Sequence, residues 1–189
     1  PVFFFTKVGP LPMGMNVTLK SKIISPQVLG HNVVAFKNNH RKKTVIICAH
    51  HDHIGFNEYD NSRYKGPQAI HNGADDNASG VAAMIELSKQ LDKWGLRKNN
   101  YLFIAFSGEE LGLLGSKFFT KNALIPLDKI NYVINIDMLG RIDSTKKTLT
   151  INGVGTSSKW IDVLKKLETD TQNIKIATTE SGLGPSDHA

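Results

Sequence analysis

Five short polar blocks in this 189-residue sequence carry side chains that bind metal ions or move protons. His50-His51-Asp52 follows the apolar run 45–49, and Asp75-Asp76-Asn77 sits between Gly73 and Gly80. Glu109-Glu110 follows the apolar run 101–106, Asp137 follows 132–136, and Ser186-Asp187-His188 comes just before Ala189. Imidazole and carboxylate without thiolate suit zinc best, with cobalt or manganese as alternatives. A carboxylate left over from such a set can carry a proton. The pattern points to a hydrolytic centre built on two metal ions.

The blocks differ in how strongly each speaks. His50 and Asp52 are two apart and share a face of an extended chain. One nitrogen of His50 can bind metal while Asp52 accepts from the other and fixes the tautomer. His51 and His53 would point the other way, and for them and His71 a water-satisfied loop histidine is the better reading. At 73–80, N-capping explains one acid easily, but not two acids plus Asn flanked by glycines. Asp76 is favoured as a carboxylate bridging two cations, with Asp75 in support. Glu109 and Glu110 repel each other unless a cation neutralises them, so one can ligate while the other holds a proton. The competing explanation is an acid-rich helix start. Asp137 interrupts an apolar stretch and is costly there without a partner. His188 has only Ser186 and Asp187 beside it.

The charges can be summed. Asp76, Glu110 and Asp137 supply three negatives, and two divalent cations with one bridging hydroxide balance them. Three buried carboxylates beside two neutral imidazoles make sense with two metals and little sense with none.

These blocks need a scaffold that gathers them. Alternating residues at 17–23 predict a half-exposed strand. Further strands are expected at 32–37 and 44–49, joined by a hairpin turn at Asn38-Asn39-His40. The region 54–74 reads as a long functional loop. A helix is expected over about 78–94, capped by Asp76, Asn77 or Ser79 and stopped by Gly95. Buried strands at 101–106 and 132–136, a short helix at 111–121, a strand at 148–151, a helix at 158–169 and a strand at 174–177 complete the pattern. The alternation implies a three-layer α/β/α fold around a central mixed, mostly parallel sheet. Ligands in such folds bind beyond the carboxyl ends of the strands, where His50, Glu109-Glu110 and Asp137 fall.

Composition sets the outer bounds. Hydrophobic residues make up 40% and charged residues 21%, as in one ordinary globular domain. The net charge of +6 comes from scattered Lys and Arg, whereas a nucleic-acid surface would gather them with stacking aromatics. No stretch is long and apolar enough to span a membrane. The lone Cys48 excludes an internal disulfide. The sequence starts at Pro1 without a signal-peptide pattern and reads as a processed chain or a fragment. Residues 1–15 read as the tail of an upstream segment or an edge, and 16–189 as the catalytic domain.

The blocks His50-His51-Asp52-His53, 73–80, 106–116, 135–141 and Ser186-Asp187-His188 together resemble the di-zinc aminopeptidase family, which includes glutamate carboxypeptidase II-like proteins. Five blocks in order over 16–189 make the resemblance far more specific than any one block. It implies a zinc exopeptidase-like fold and two Zn2+ ions. Asp76 would bridge them, His50 and Asp137 completing one site and Glu110 and His188 the other. Glu109 would be the general base and Asp52 the residue that orients a ligand, with a cis peptide at Asp76–Asn77. The implied activity is hydrolysis of N-terminal peptide bonds, with peptide or protein N-termini as substrates, and the implied location is secreted or periplasmic. Members continue past Ser-Asp-His with a strand, a helix and pocket residues, so the domain is expected to be incomplete at its C-terminus. Two rivals remain: a single-zinc glutaminyl-peptide cyclase and a non-catalytic, receptor-like homologue that kept the fold. Retention of all five ligand positions, with Asn77 after the bridging acid, favours two metals and hydrolysis.

Overall fold

Unbroken apolar runs at 45–49 and 101–106 fit strands covered on both faces. In the computed structural model, which describes residues 14, 28–57, 62–170 and 174–189, both are such strands. The described elements are β1 (Val33–Lys37), β2 (Thr44–His50), α1 (Gly80–Lys93), β3 (Asn100–Phe106), α2 (Leu114–Lys121), β4 (Ile130–Asn135), β5 (Thr148–Asn152), α3 (Lys159–Asp170) and β6 (Lys175–Thr179). Every residue of β2 and β3 is buried. The strand expected at 17–23, and residues 1–15 apart from Gly14, lie outside the described residues.

Four strands form a sheet in the order β1-β3-β2-β4. β2 runs parallel to both neighbours, with Ile47 opposite Phe103 on one side and Ile134 on the other. β1 is antiparallel to β3, pairing Ala35 with Phe103. The sheet is therefore mixed and mostly parallel. The period of two divides its side chains between two cores. Val45, Ile47, Tyr101, Phe103 and Ala105 pack with Met84 and Leu91 of α1. Ile46, Cys48, Leu102, Ile104 and Phe106 pack with Phe119 of α2. The result is three layers, α1 and α2 covering opposite faces.

Three expectations are corrected. β1 and β2 do not form a hairpin: both edges of β2 are taken by parallel partners, and β1 reaches past it to β3. Asn100 holds the connection instead, its Oδ1 accepting from the Asn39 and Arg41 N–H groups and its Nδ2 donating to the Arg41 carbonyl. β4 is also not buried throughout. Among the described residues it is the outermost strand of its sheet, and Val133 and Ile134 are exposed. α2 begins at Leu114 rather than 111, because Leu113 is left-handed at φ 61° and the chain turns back on the Glu109 carbonyl.

β5 and β6 form a separate parallel pair beside α3. Trp160 of α3 meets Tyr132 of β4 edge-on, ring centroids 5.3 Å apart. Among the described residues no helix is long and apolar enough to cross a membrane.

Candidate metal centre

Parallel register brings the ends of three strands to one edge of the sheet. His50 is the last residue of β2 and pairs with Phe106 of β3. The chain beyond stays in step: His51 N–H donates to the Phe106 carbonyl and Ile136 N–H to the Cys48 carbonyl, both at 2.9 Å. Asp137 follows Ile136 directly, and Glu109 and Glu110 leave β3 after Ser107-Gly108.

The turn carrying Asp76 is locked to this edge through Asn77. The Asn77 side chain is buried, donating to the Ile136 carbonyl and accepting from the Gly80 and Met138 N–H groups. A Cβ at Gly80 would lie 2.4 Å from the Ile136 carbonyl oxygen, so only glycine permits this approach. Asp75 adds a second tie, its Oδ1 accepting from Gly140 N–H at 2.6 Å. The Asp76–Asn77 peptide is cis.

His50 is 1% exposed, and three carboxylates face its Nε2. Asp76 Oδ1 is 3.2 Å away, Asp137 Oδ1 3.5 Å and Glu109 Oε2 3.9 Å. Its Nδ1 lies 3.1 Å from the Asp52 carbonyl. Donation there leaves the Nε2 lone pair facing the acids, an arrangement that requires a cation or a proton at Nε2. In the metal-free chain burial disfavours the charged imidazole. Asp137, then Glu109 and the Asp52 carbonyl, outweigh that and hold its pKa at about 9. Burial raises Glu109 to about 7; His50 pulls it down, while Asp187, Glu110 and Asp137 push it up.

Asp52 works differently from the sequence expectation. Its carboxylate is 3.9 Å from His50 Nδ1, too far to hydrogen-bond, and the carbonyl takes that role. The two carboxylate oxygens accept instead from the Glu109 and Glu110 N–H groups, at 3.1 and 3.3 Å. β2 ends at His50, so strand alternation does not govern the residues beyond it.

The same failure explains His53. Strand alternation places it away from the site, yet its Nδ1 lies 2.5 Å from Glu110 Oε1 and 3.9 Å from Asp76 Oδ2. Two trios of potential ligands result: His50, Asp76 and Asp137, and His53, Asp76 and Glu110. Asp76 belongs to both. The turn-rich spacing after His50 was the available signal that His53 could rejoin the cluster. His188 is in neither trio. The Ser186-Asp187-His188 segment is tethered beside β4 by Asn135 Nδ2 donating to Ser186 Oγ at 2.8 Å. His188 Nε2, Asp137 Oδ1 and both Asp187 carboxylate oxygens are buried without a hydrogen bond among the described residues.

The first trio fits zinc. Ligand atoms about 2.0–2.2 Å from a tetrahedral ion stand about 3.3–3.6 Å apart, close to the 3.2 and 3.5 Å found around His50. Asp76, Glu109 and Asp137 receive ion pairs only from histidines among the described residues, so bound cations would relieve the crowding of acids.

Residues 32–189 match the sequence profile of Peptidase family M28. The chain is 29% identical over 168 residues to "Leucine aminopeptidase 1" of Coccidioides posadasii, covering 84% of this chain and 42% of that protein. A solved zinc aminopeptidase from Bacillus subtilis superposes with a TM-score of 0.61 at 25% identity, covering 83% of this chain and 36% of the other. A glutaminyl cyclase from Bacteroides thetaiotaomicron has a TM-score of 0.61 at 19% identity, covering 83% and 58%, a likeness of fold alone. The chain spans about two fifths of the length of the leucine aminopeptidase it matches.

Proposed function

The chain belongs to peptidase family M28, and from that premise we propose that it is the catalytic part of a two-zinc aminopeptidase that hydrolyses N-terminal peptide bonds. The observation that carries this reading is that Asp76 lies within ligand reach both of His50 and Asp137 and of Glu110 at one sheet edge. One ion would be held by His50, Asp76 and Asp137. The other would be held by Asp76, Glu110 and His188, whose buried Nε2 has no hydrogen-bond partner among the described residues. Bound zinc would supply Lewis acidity, activating water and polarising the scissile carbonyl.

The chain's own residues do the rest. Glu109 stands beside His50, its Oε2 3.9 Å from His50 Nε2. Its carboxylate takes a proton from the attacking water and returns it to the departing amine nitrogen. Asp52 aims the two acids by holding the N–H groups of Glu109 and Glu110. The Asp52 carbonyl fixes the His50 tautomer, keeping Nε2 free for metal. A substrate's free α-ammonium would be drawn to the surrounding carboxylates, which favours cleavage at a peptide N-terminus. An exported location, as the resemblance implies, would place peptides from outside the cell within reach.

Glu109→Gln is the direct test. The variant should bind zinc as the parent does while leucine anilide hydrolysis falls by roughly 10²–10⁴-fold. Turnover at the parental rate would remove Glu109 from this role.

A further inference from the structure

The 2.5 Å separation of His53 Nδ1 and Glu110 Oε1 is too short for two atoms sharing one zinc ion, whose ligands stand about 3.3–3.6 Å apart. It is shorter even than the about 2.7–2.9 Å usual for an N–H donating to a carboxylate, a contact that two unprotonated atoms would not hold and that places a hydrogen between them. An ionised carboxylate only accepts, so the hydrogen sits on His53 Nδ1. We infer that His53 is a positioning residue: its Nδ1–H fixes the Glu110 carboxylate so that Glu110 can serve, with Asp76, as a ligand of the second ion. The inference rests on the two-ion reading above and adds to it a residue that the ligand set does not contain.

The surroundings hold the imidazole in place. Its side chain and that of Glu110 are 21% and 19% exposed, so water competes weakly for the bond. The His71 ring lies edge-on to it at 6.5 Å. Gly73, left-handed at φ +65°, also lies against it, and an added Cβ there would come 2.8 Å from His53 Cβ. The turn that delivers Asp76 is thus packed directly on the imidazole that orients Glu110. Asp52 accepts from the Glu110 N–H, so backbone and carboxylate of this residue are each held by a separate partner. Glu110 stands outside any strand or helix, and these bonds supply the order that a strand would otherwise give.

The test compares His53→Ala with His53→Asn, whose amide nitrogen sits one bond from Cγ, as His Nδ1 does. Zinc competition titrations on the full chain should show the second ion weakened about 10–100-fold in His53→Ala, with the first ion unchanged. His53→Asn should restore it to within about threefold, because the donor is kept. Parental affinity in His53→Ala would overturn the inference. Equal loss in both variants would also overturn it, since the imidazole would then be coordinating or filling space. Nitrogen-15 histidine spectra of the chelator-treated parent give a reading that needs no metal. A protected Nδ1–H signal from His53 that disappears in Glu110→Ala is expected, and an Nε2–H tautomer would contradict the inference. Failure of the parent to take up two ions would sink the two-ion reading, while this signal would still decide the hydrogen bond.

Discussion

The two trios share Asp76 but are built from different material. His50 ends a buried strand, and Asp137 follows a strand register-locked to it through the Ile136–Cys48 hydrogen bond. Asp76 Oδ1 and Asp137 Oδ1, 3.2 and 3.5 Å from His50 Nε2, are already spaced to suit a metal. His53 and Glu110 lie on connecting segments, and between them is a hydrogen bond rather than a metal-sized gap. Ligands carried by packed strands are preorganised by the core that holds the strands. Ligands on loops need dedicated hydrogen bonds, here from Asp52 and His53, to reach the same order.

The largest blow to this contrast should come from the residue common to both trios. Asp76→Asn should weaken both ions by more than about 100-fold, read as metal content after dialysis. Loss of one ion alone would mean that Asp76 does not join the two. His50→Ala should be nearly as severe but one-sided: the first ion is lost, while the second stays within about tenfold in a competition titration. Equal loss of both would erase the difference between strand-borne and loop-borne sites.

Changing pH should separate the sites more gently. In the metal-free chain His50 keeps its proton up to about 9, and zinc must displace that proton. First-site affinity should therefore fall about tenfold for each pH unit below about 9. The metal-free fold should show the opposite trend. A pKa raised from 6.5 to about 9 on folding gives stability that is full below 6.5 and lost as pH rises through 9. Glu109, raised from 4.5 to about 7, adds a loss of the same sign over its own range. Melting of chelator-treated protein should fall between pH 6.5 and 9, and a rise there would show that His50 is not protonated in the metal-free fold.

The strand-borne half of the site was legible in the sequence for a physical reason. Continuous apolar runs announce buried parallel strands, and polar residues at their ends must then meet at one edge. That logic placed His50, Asp137 and Glu109-Glu110 together, and the glycine-flanked acids placed Asp76. It fails once the chain leaves the strand. His53 was sent outward by an alternation that stops at His50, and the Asp52 carboxylate was matched to the wrong partner for the same reason. The β1–β2 hairpin was misread because local turn chemistry at 38–40 does not report which strand edge is free. Exposure of β4 was hidden too, since Val133 and Ile134 look the same in sequence at an edge as in a core.

The central claim is that two cations sit on either side of Asp76, and anomalous diffraction at the zinc edge from crystals of the zinc-loaded chain tests it most directly. The account predicts two peaks about 3.5–4 Å apart, both touching the Asp76 carboxylate, one against His50 and Asp137 and the other against Glu110. A single peak, or two peaks of which only one contacts Asp76, would contradict it.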